Sequence, residues 1–183
     1  TGMGFWSVNP YVGCEFGCTY CYARFAHQYV VERAGARGAP PQRVWDQEDF
    51  EHRIFVKADA ADVLALTLRP GRINHAIAIG TATDPYQPAE ARFAVTRGVL
   101  EVMARVPGLR IGLTTKSTGI LRDRELLSRI ARSSDLWVNV SLISLDAPLL
   151  RQIEPRAPRP DLGLDAMRAL AADGVRARLF LMP

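Results

Sequence analysis

Three cysteines, Cys14, Cys18 and Cys21, fall within eight residues, and the chain has no other. An odd, clustered set does not make a disulfide framework. The string Gly13-Cys14-Glu15-Phe16-Gly17-Cys18-Thr19-Tyr20-Cys21-Tyr22 places three thiols on one short loop. Gly13 and Gly17 supply the backbone freedom that such a loop needs. Three soft donors this close together read as a metal site.

The metal is constrained by the donor count. Structural zinc takes four protein ligands, and the fourth would have to be His27, His52 or His75. None of these completes a usual zinc spacing, and each is expected to be a surface or packing residue. A [4Fe–4S] cluster usually also takes four thiolates. With three, one iron keeps a position without a protein ligand, which is what a catalytic metal needs.

The 183 residues suit one domain with a sizeable core. A hydrophobic share of 48% and a charged share of 23% exclude a disordered tail, a collagen-like chain and a disulfide miniprotein. No apolar run reaches the roughly 18 residues of a membrane span, so no membrane partner is expected. No leader peptide is expected either, and Thr1 in place of Met reads as an excised segment. The net charge is +4, and of 23 basic residues only Lys57 and Lys116 are lysines. The Arg excess fits biased codon usage or a phosphate-binding surface.

Strand and helix patterns alternate. Strands are expected over 5–11, 54–57, 76–81, 110–115, 136–142 and 175–182. Helices are expected over 22–33, 60–68, 89–105, 122–132 and 162–172, with a turn-rich break at 35–41. Leu121, Leu126, Leu127 and Ile130 share one face of the fourth helix. This is an α/β pattern with a parallel sheet, either open and doubly wound or a barrel. Polar residues gather after the strands: Thr81, Thr83 and Asp84; then Thr114, Thr115, Lys116 and Ser117; then Asn139, Ser141, Ser144 and Asp146. Turn and capping duty accounts for many of them. Lys116, a rare Lys at a strand end, is the best functional candidate. Trp6, Trp45 and Trp137 read as core, with Trp6 near enough to shield a metal group. The 151–160 stretch of Arg and Pro reads as a stiff, solvated basic loop.

The cysteine spacing, with Tyr20 before the third cysteine, resembles the radical S-adenosylmethionine (radical SAM) superfamily. The string Asn9-Pro10-Tyr11-Val12 leading into it, and Thr83-Asp84-Pro85-Tyr86-Gln87-Pro88, are similar to the spore photoproduct lyase-like, DNA repair photolyase-like branch. The resemblance implies a partial (β/α)6 barrel, cut after the fifth barrel strand, with residues 1–183 as an incomplete core domain. It implies that Cys14, Cys18 and Cys21 bind a [4Fe–4S] cluster whose fourth iron takes S-adenosylmethionine. Reductive cleavage of that cofactor would give a 5′-deoxyadenosyl radical that abstracts hydrogen from a substrate. Thr83 and Asp84 would meet the methionine amino end and Lys116 its carboxylate. Ser141, with Asn139, would meet the ribose or carboxylate, and Tyr20 the adenine. The implied partners are a one-electron reductant of the flavodoxin or ferredoxin type and a nucleic acid substrate, in the cytoplasm. Thr81 stands where spore photoproduct lyase has a hydrogen-donating cysteine, which argues against that repair reaction. A non-catalytic zinc or iron–sulfur module contacting nucleic acid is the alternative.

Overall fold

The computed structural model describes residues 4–25, 29, 48–68 and 75–181. In chain order these form β1 (Phe5–Val8), β2 (Tyr11–Val12), α1 (Asp49–His52), β3 (Phe55–Val56), α2 (Ala60–Thr67) and β4 (Ala76–Ile79). There follow α3 (Pro88–Phe93), α4 (Val95–Met103), β5 (Arg110–Thr115), a 3-10 turn (Thr118–Asp123) and α5 (Arg124–Ser133). The chain closes with β6 (Asp135–Ser141), α6 (Ala147–Ile153), α7 (Pro160–Ala172) and β7 (Arg176–Phe180).

Five strands make one parallel sheet in the order β1-β4-β5-β6-β7. A doubly wound sheet reverses its strand order at a switch point. Here every strand lies beside its successor, as in a barrel wall. The five strands are those expected as the barrel strands. Ile77, Ile79, Ile111, Leu113, Val138 and Val140 face outward and pack on Val99, Leu100, Met103, Leu127, Ile130 and Leu170 of the helices. The opposite, inner face carries Ala78, Gly112 and Trp137 in one register row. A side chain at Gly112 would meet the Trp137 indole at 2.7 Å, so Gly112 makes room for that ring. Arg178 covers the same ring at 5.2 Å.

Several expectations need correction. The strand expected over 5–11 splits into β1 and β2, and β2 pairs antiparallel with β3. The single helix expected over 89–105 is two, broken at Ala94 with φ +52°. The buried Glu90 carboxylate explains the break: it accepts from the Thr96 and Arg97 backbone N–H groups and so caps α4 from inside. The basic stretch at 151–160 is not all loop: it begins in the last turn of α6, whose Asp146 cap accepts from Leu149 N, and ends on the first residue of α7. Trp6 is half exposed and lines a groove with Lys57, Ala60 and Leu64, away from the cysteines. Of the helix expected over 22–33, residues 23–25 and 29 are helical and the rest lie outside the described residues, as do the break at 35–41, His27 and Trp45. His52 and His75 are exposed. Among the described residues no helix is long and apolar enough to cross a membrane.

Candidate functional site

A cavity of about 320 Å³ opens at the C-terminal ends of β4, β5 and β6. Cys14, Cys18, Cys21, Tyr20 and Tyr22 line one side, and Thr81, Thr83, Asp84, Lys116 and Ser141 the other. This is where the loops of a parallel α/β barrel gather. The three thiols are free of disulfides. Among the described residues no set of three or more His, Cys, Asp and Glu side chains is grouped to hold a single metal ion.

The cysteine loop is shaped by two glycines with positive φ, Gly13 at +91° and Gly17 at +66°. An added carbon at Gly13 would come within 2.7 Å of the Phe50 carbonyl, and one at Gly17 would collide with Glu51 and Arg156. Neighbouring chain therefore closes over both. Cys14 N donates to Phe50 O (2.8 Å) and Thr19 N to Ile153 O (2.9 Å). Arg156 donates to Glu15 O and, at 2.5 Å, to Glu51. Arg156, although 43% exposed, is thus a clamp on the cysteine loop, a contact that its reading as part of a solvated loop did not include.

The strand-end polar residues bind this loop to the sheet. Thr83 Oγ1 donates to Gly13 O (2.5 Å) and accepts from Gln87 Nε2 (2.9 Å), which also reaches Gly13 O. Gln87 Oε1 accepts from Glu15 N, and Glu15 in return accepts from Ala89 N. Asp84 is buried and accepts from Tyr86 N, Thr115 Oγ1 and Lys116 N, all within 2.8 Å. Burial pushes its carboxyl above the ordinary range, and these three donors only partly offset the shift. The Asp84 carboxylate therefore fixes the start of the loop that presents Lys116.

Lys116 Nζ lies 2.7 Å from Glu154 Oε1, 3.0 Å from the Tyr20 hydroxyl and 3.0 Å from Ser141 Oγ. The Tyr20 hydroxyl donates to the same Glu154 oxygen. Asn139 is one step earlier on the inner face, donates to Thr114 Oγ1 and does not line the cavity. Thr81 lines it, and its hydroxyl is tied to Ser7 (2.6 Å) and Asn9 (3.0 Å). The Tyr22 hydroxyl donates to the Thr81 carbonyl.

Burial raises all three thiols above their ordinary range. For Cys14 the Asp84 charge adds to it. Cys18 is pushed up to about 12, with Lys116 pulling it down and Glu154 pushing it up. Cys21 is raised by burial against the pull of Arg24. Neutral thiols are what a dry, unmetallated site should hold; a bound metal ion deprotonates them outright.

Sequence reasoning missed Glu154, Tyr22, Gln87 and Arg156. A lone lysine at a buried strand end signals that a carboxylate partner exists, but nothing local says which one.

A family model described as the radical SAM superfamily matches residues 8–183. An uncharacterized protein of Mycobacterium bovis is 34% identical over 179 residues, covering 97% of this chain and 49% of that protein. One from Methanocaldococcus jannaschii is 28% identical over 176 residues, covering 96% of this chain and 59% of that protein. The chain thus spans about half the length of the curated relatives it matches. Among solved structures, a mutant of spore photoproduct lyase superposes with TM-score 0.64 at 16% identity, over 97% of this chain and 45% of that one. A double mutant of that lyase with bound AdoMet and dinucleoside spore photoproduct gives 0.62 at 16% identity, with the same coverage. These likenesses carry the fold.

Proposed function

The chain belongs to the radical SAM superfamily, and from that premise we propose that its three cysteines hold a [4Fe–4S] cluster that binds S-adenosylmethionine. The observation that carries this reading is the shared cavity. Three thiols free of disulfides, two buried and Cys21 partly so, form one wall, and a lysine and the hydroxyl side chains of Ser141 and Thr81 stand on the other. The donor set fits the group: soft sulfur ligands suit iron–sulfur clusters, and three of them leave one iron open. A zinc module would need a fourth protein donor, and among the described residues the one carboxylate lining the cavity, Asp84, is already held by Tyr86 N, Thr115 Oγ1 and Lys116 N. When bound and reduced, the cluster supplies one electron that cleaves the cofactor to methionine and a 5′-deoxyadenosyl radical.

The residues of this chain do the positioning. Cys14, Cys18 and Cys21 ligate the irons from a loop clamped on two sides. Lys116 takes the methionine carboxylate with Ser141 beside it, and Asn139 steadies that strand end through Thr114. Thr83 and Asp84 hold the turn that borders the amino end. The Tyr20 ring offers its face to the adenine, and Phe16 and Ala23 keep the thiols dry. A flavodoxin- or ferredoxin-type protein would deliver the electron, in the cytoplasm. The substrate class that the branch resemblance favours is nucleic acid.

Thr81 sets a limit on the reaction. An alcohol O–H is much harder to break than a thiol S–H, so Thr81 is a poor hydrogen-atom donor. The test uses the full-length protein, reconstituted anaerobically with iron and sulfide. It should turn brown, respond spectrally to S-adenosylmethionine and slowly release 5′-deoxyadenosine on reduction. It should not convert spore photoproduct efficiently. An intact cluster with bound cofactor and no 5′-deoxyadenosine would overturn the radical reading. Efficient repair would overturn the role given to Thr81.

A further inference from the structure

Lys116 has three N–H donors, and all three are engaged. They go to Glu154, Tyr20 and Ser141, at 2.7, 3.0 and 3.0 Å. Lys116 therefore has no spare donor for an incoming carboxylate. The strongest of the three partners is itself a carboxylate, on a residue only 4% exposed. We propose that Glu154 is a resident stand-in for the cofactor's carboxylate, and that Lys116 is handed from one carboxylate to the other as S-adenosylmethionine enters and leaves. This rests on the reading above, in which Lys116 meets the methionine carboxylate.

The position of Glu154 supports the exchange. It caps the C-terminal end of α6, next to Ile153, whose carbonyl holds Thr19 N, and two residues before Arg156, which holds Glu15 O. Its second tether is the Tyr20 hydroxyl, inside the cysteine motif. Glu154 therefore joins the cation of the cofactor pocket to the clamp on the cysteine loop. Before the cofactor arrives, Glu154 neutralises an ammonium that would otherwise be buried and unpaired, which is costly. Once the cofactor's carboxylate is in place, Lys116 has two anions to serve, and the ligand is bound less tightly than a bare lysine would bind it. The same weakening speeds release of methionine after cleavage, because methionine carries the identical carboxylate. Glu154 acts through Lys116 and is a positioning residue.

Glu154→Gln keeps the shape and an acceptor oxygen but removes the charge. The charge-assisted part of the Lys116 bond is then free for the ligand. The test measures anaerobic equilibrium binding to the unreduced, cluster-loaded full-length protein, so no turnover enters the readout. Two probes are compared: S-adenosylmethionine and its decarboxylated analogue. In Glu154→Gln, S-adenosylmethionine should bind roughly tenfold tighter while the decarboxylated analogue is unchanged. In a Lys116→Ala background the added Glu154→Gln should change neither. Should Glu154→Gln fail to keep its cluster, Glu154→Asp draws the carboxylate back by one methylene and should shift affinity in the same direction by less. Equal changes for both probes, no change, or weaker binding of S-adenosylmethionine would overturn the exchange. If Lys116→Ala leaves S-adenosylmethionine affinity unchanged, the reading of Lys116 fails instead. If Lys116→Ala weakens it and Glu154→Gln does not strengthen it, the exchange alone fails.

Discussion

The sheet and the cysteine loop are held by different means. The outer face of β4, β5 and β6 packs into one continuous apolar core with α4, α5 and α7. The cysteine loop sits over a separate small cluster, Cys14, Phe16, Cys18, Ala23 and Phe50. What secures it is a set of single polar links: Thr83 and Gln87 to Gly13, Phe50 to Cys14, Ile153 to Thr19, and Arg156 to Glu15. Dispersion contacts in a core are many and individually weak, so the loss of one is shared. A hydrogen bond to a buried carbonyl is one of very few, and its loss is not shared in this way. The sheet is thus robust, and the site is accurate but fragile.

The comparison can be broken hardest at the thiols. Cys14→Ala, Cys18→Ala or Cys21→Ala should each abolish retention of iron and sulfide while leaving the circular dichroism of the sheet unchanged. Normal iron content in any of them would remove the cluster assignment. The converse perturbation is Leu113→Ala or Leu127→Ala, both fully buried. Each should cost about 2–5 kcal/mol in denaturant unfolding and, while still folded, leave iron content intact. Lys116→Ala should weaken S-adenosylmethionine binding by roughly ten- to a hundredfold, the effect of about 1.5–3 kcal/mol, with the cluster in place. Thr83→Val should cost about 1 kcal/mol globally, yet shorten the cluster's lifetime in air, because its loss loosens the loop locally. The smallest effect at ordinary pH concerns the raised thiols. Stability due to them is complete below the unfolded thiol value of about 8.5 and falls as pH rises towards the folded values. The cluster-free protein should therefore soften above about pH 8.5, and the loaded protein much less, since its thiolates no longer titrate.

The two regions were not equally legible. Ile77–Ile79 and Ile111–Leu113 announce buried strands through their own composition, and Pro88 marks a helix start at its own position, whereas Pro160, read as loop, proved to open α7. Such signals are local, so the five parallel strands could be read directly. The three cysteines proposed as cluster ligands were legible for the same reason, being packed into one short motif. The helix break at Ala94 was not, because no glycine marks it and its cause is a glutamate four positions earlier that turns inward. Glu154 and Arg156 were hidden more deeply. Each looks like an ordinary charged residue in a Pro-rich stretch, and their partners lie 38 and 141 positions away. The β2–β3 pair joins Tyr11 to Val56 with no hairpin turn between them to give it away. Thr83 and Asp84 were legible as residues of the site, whereas their bracing of Gly13 and Lys116 emerged only with the geometry.

The clamp on the loop also sets an order of events during synthesis. Arg156 reaches back across 141 positions to Glu15, a stretch that takes roughly 7–28 seconds at about 5–20 residues per second. Thr83 and Gln87 come sooner, but Ile153 and Arg156 do not exist until most of this chain has been made. For that interval the three thiols travel on a nascent segment without their cover, open to the first oxidation step to sulfenic acid. The thiols are therefore translated well before Ile153 and Arg156, and they wait for the residues that enclose them.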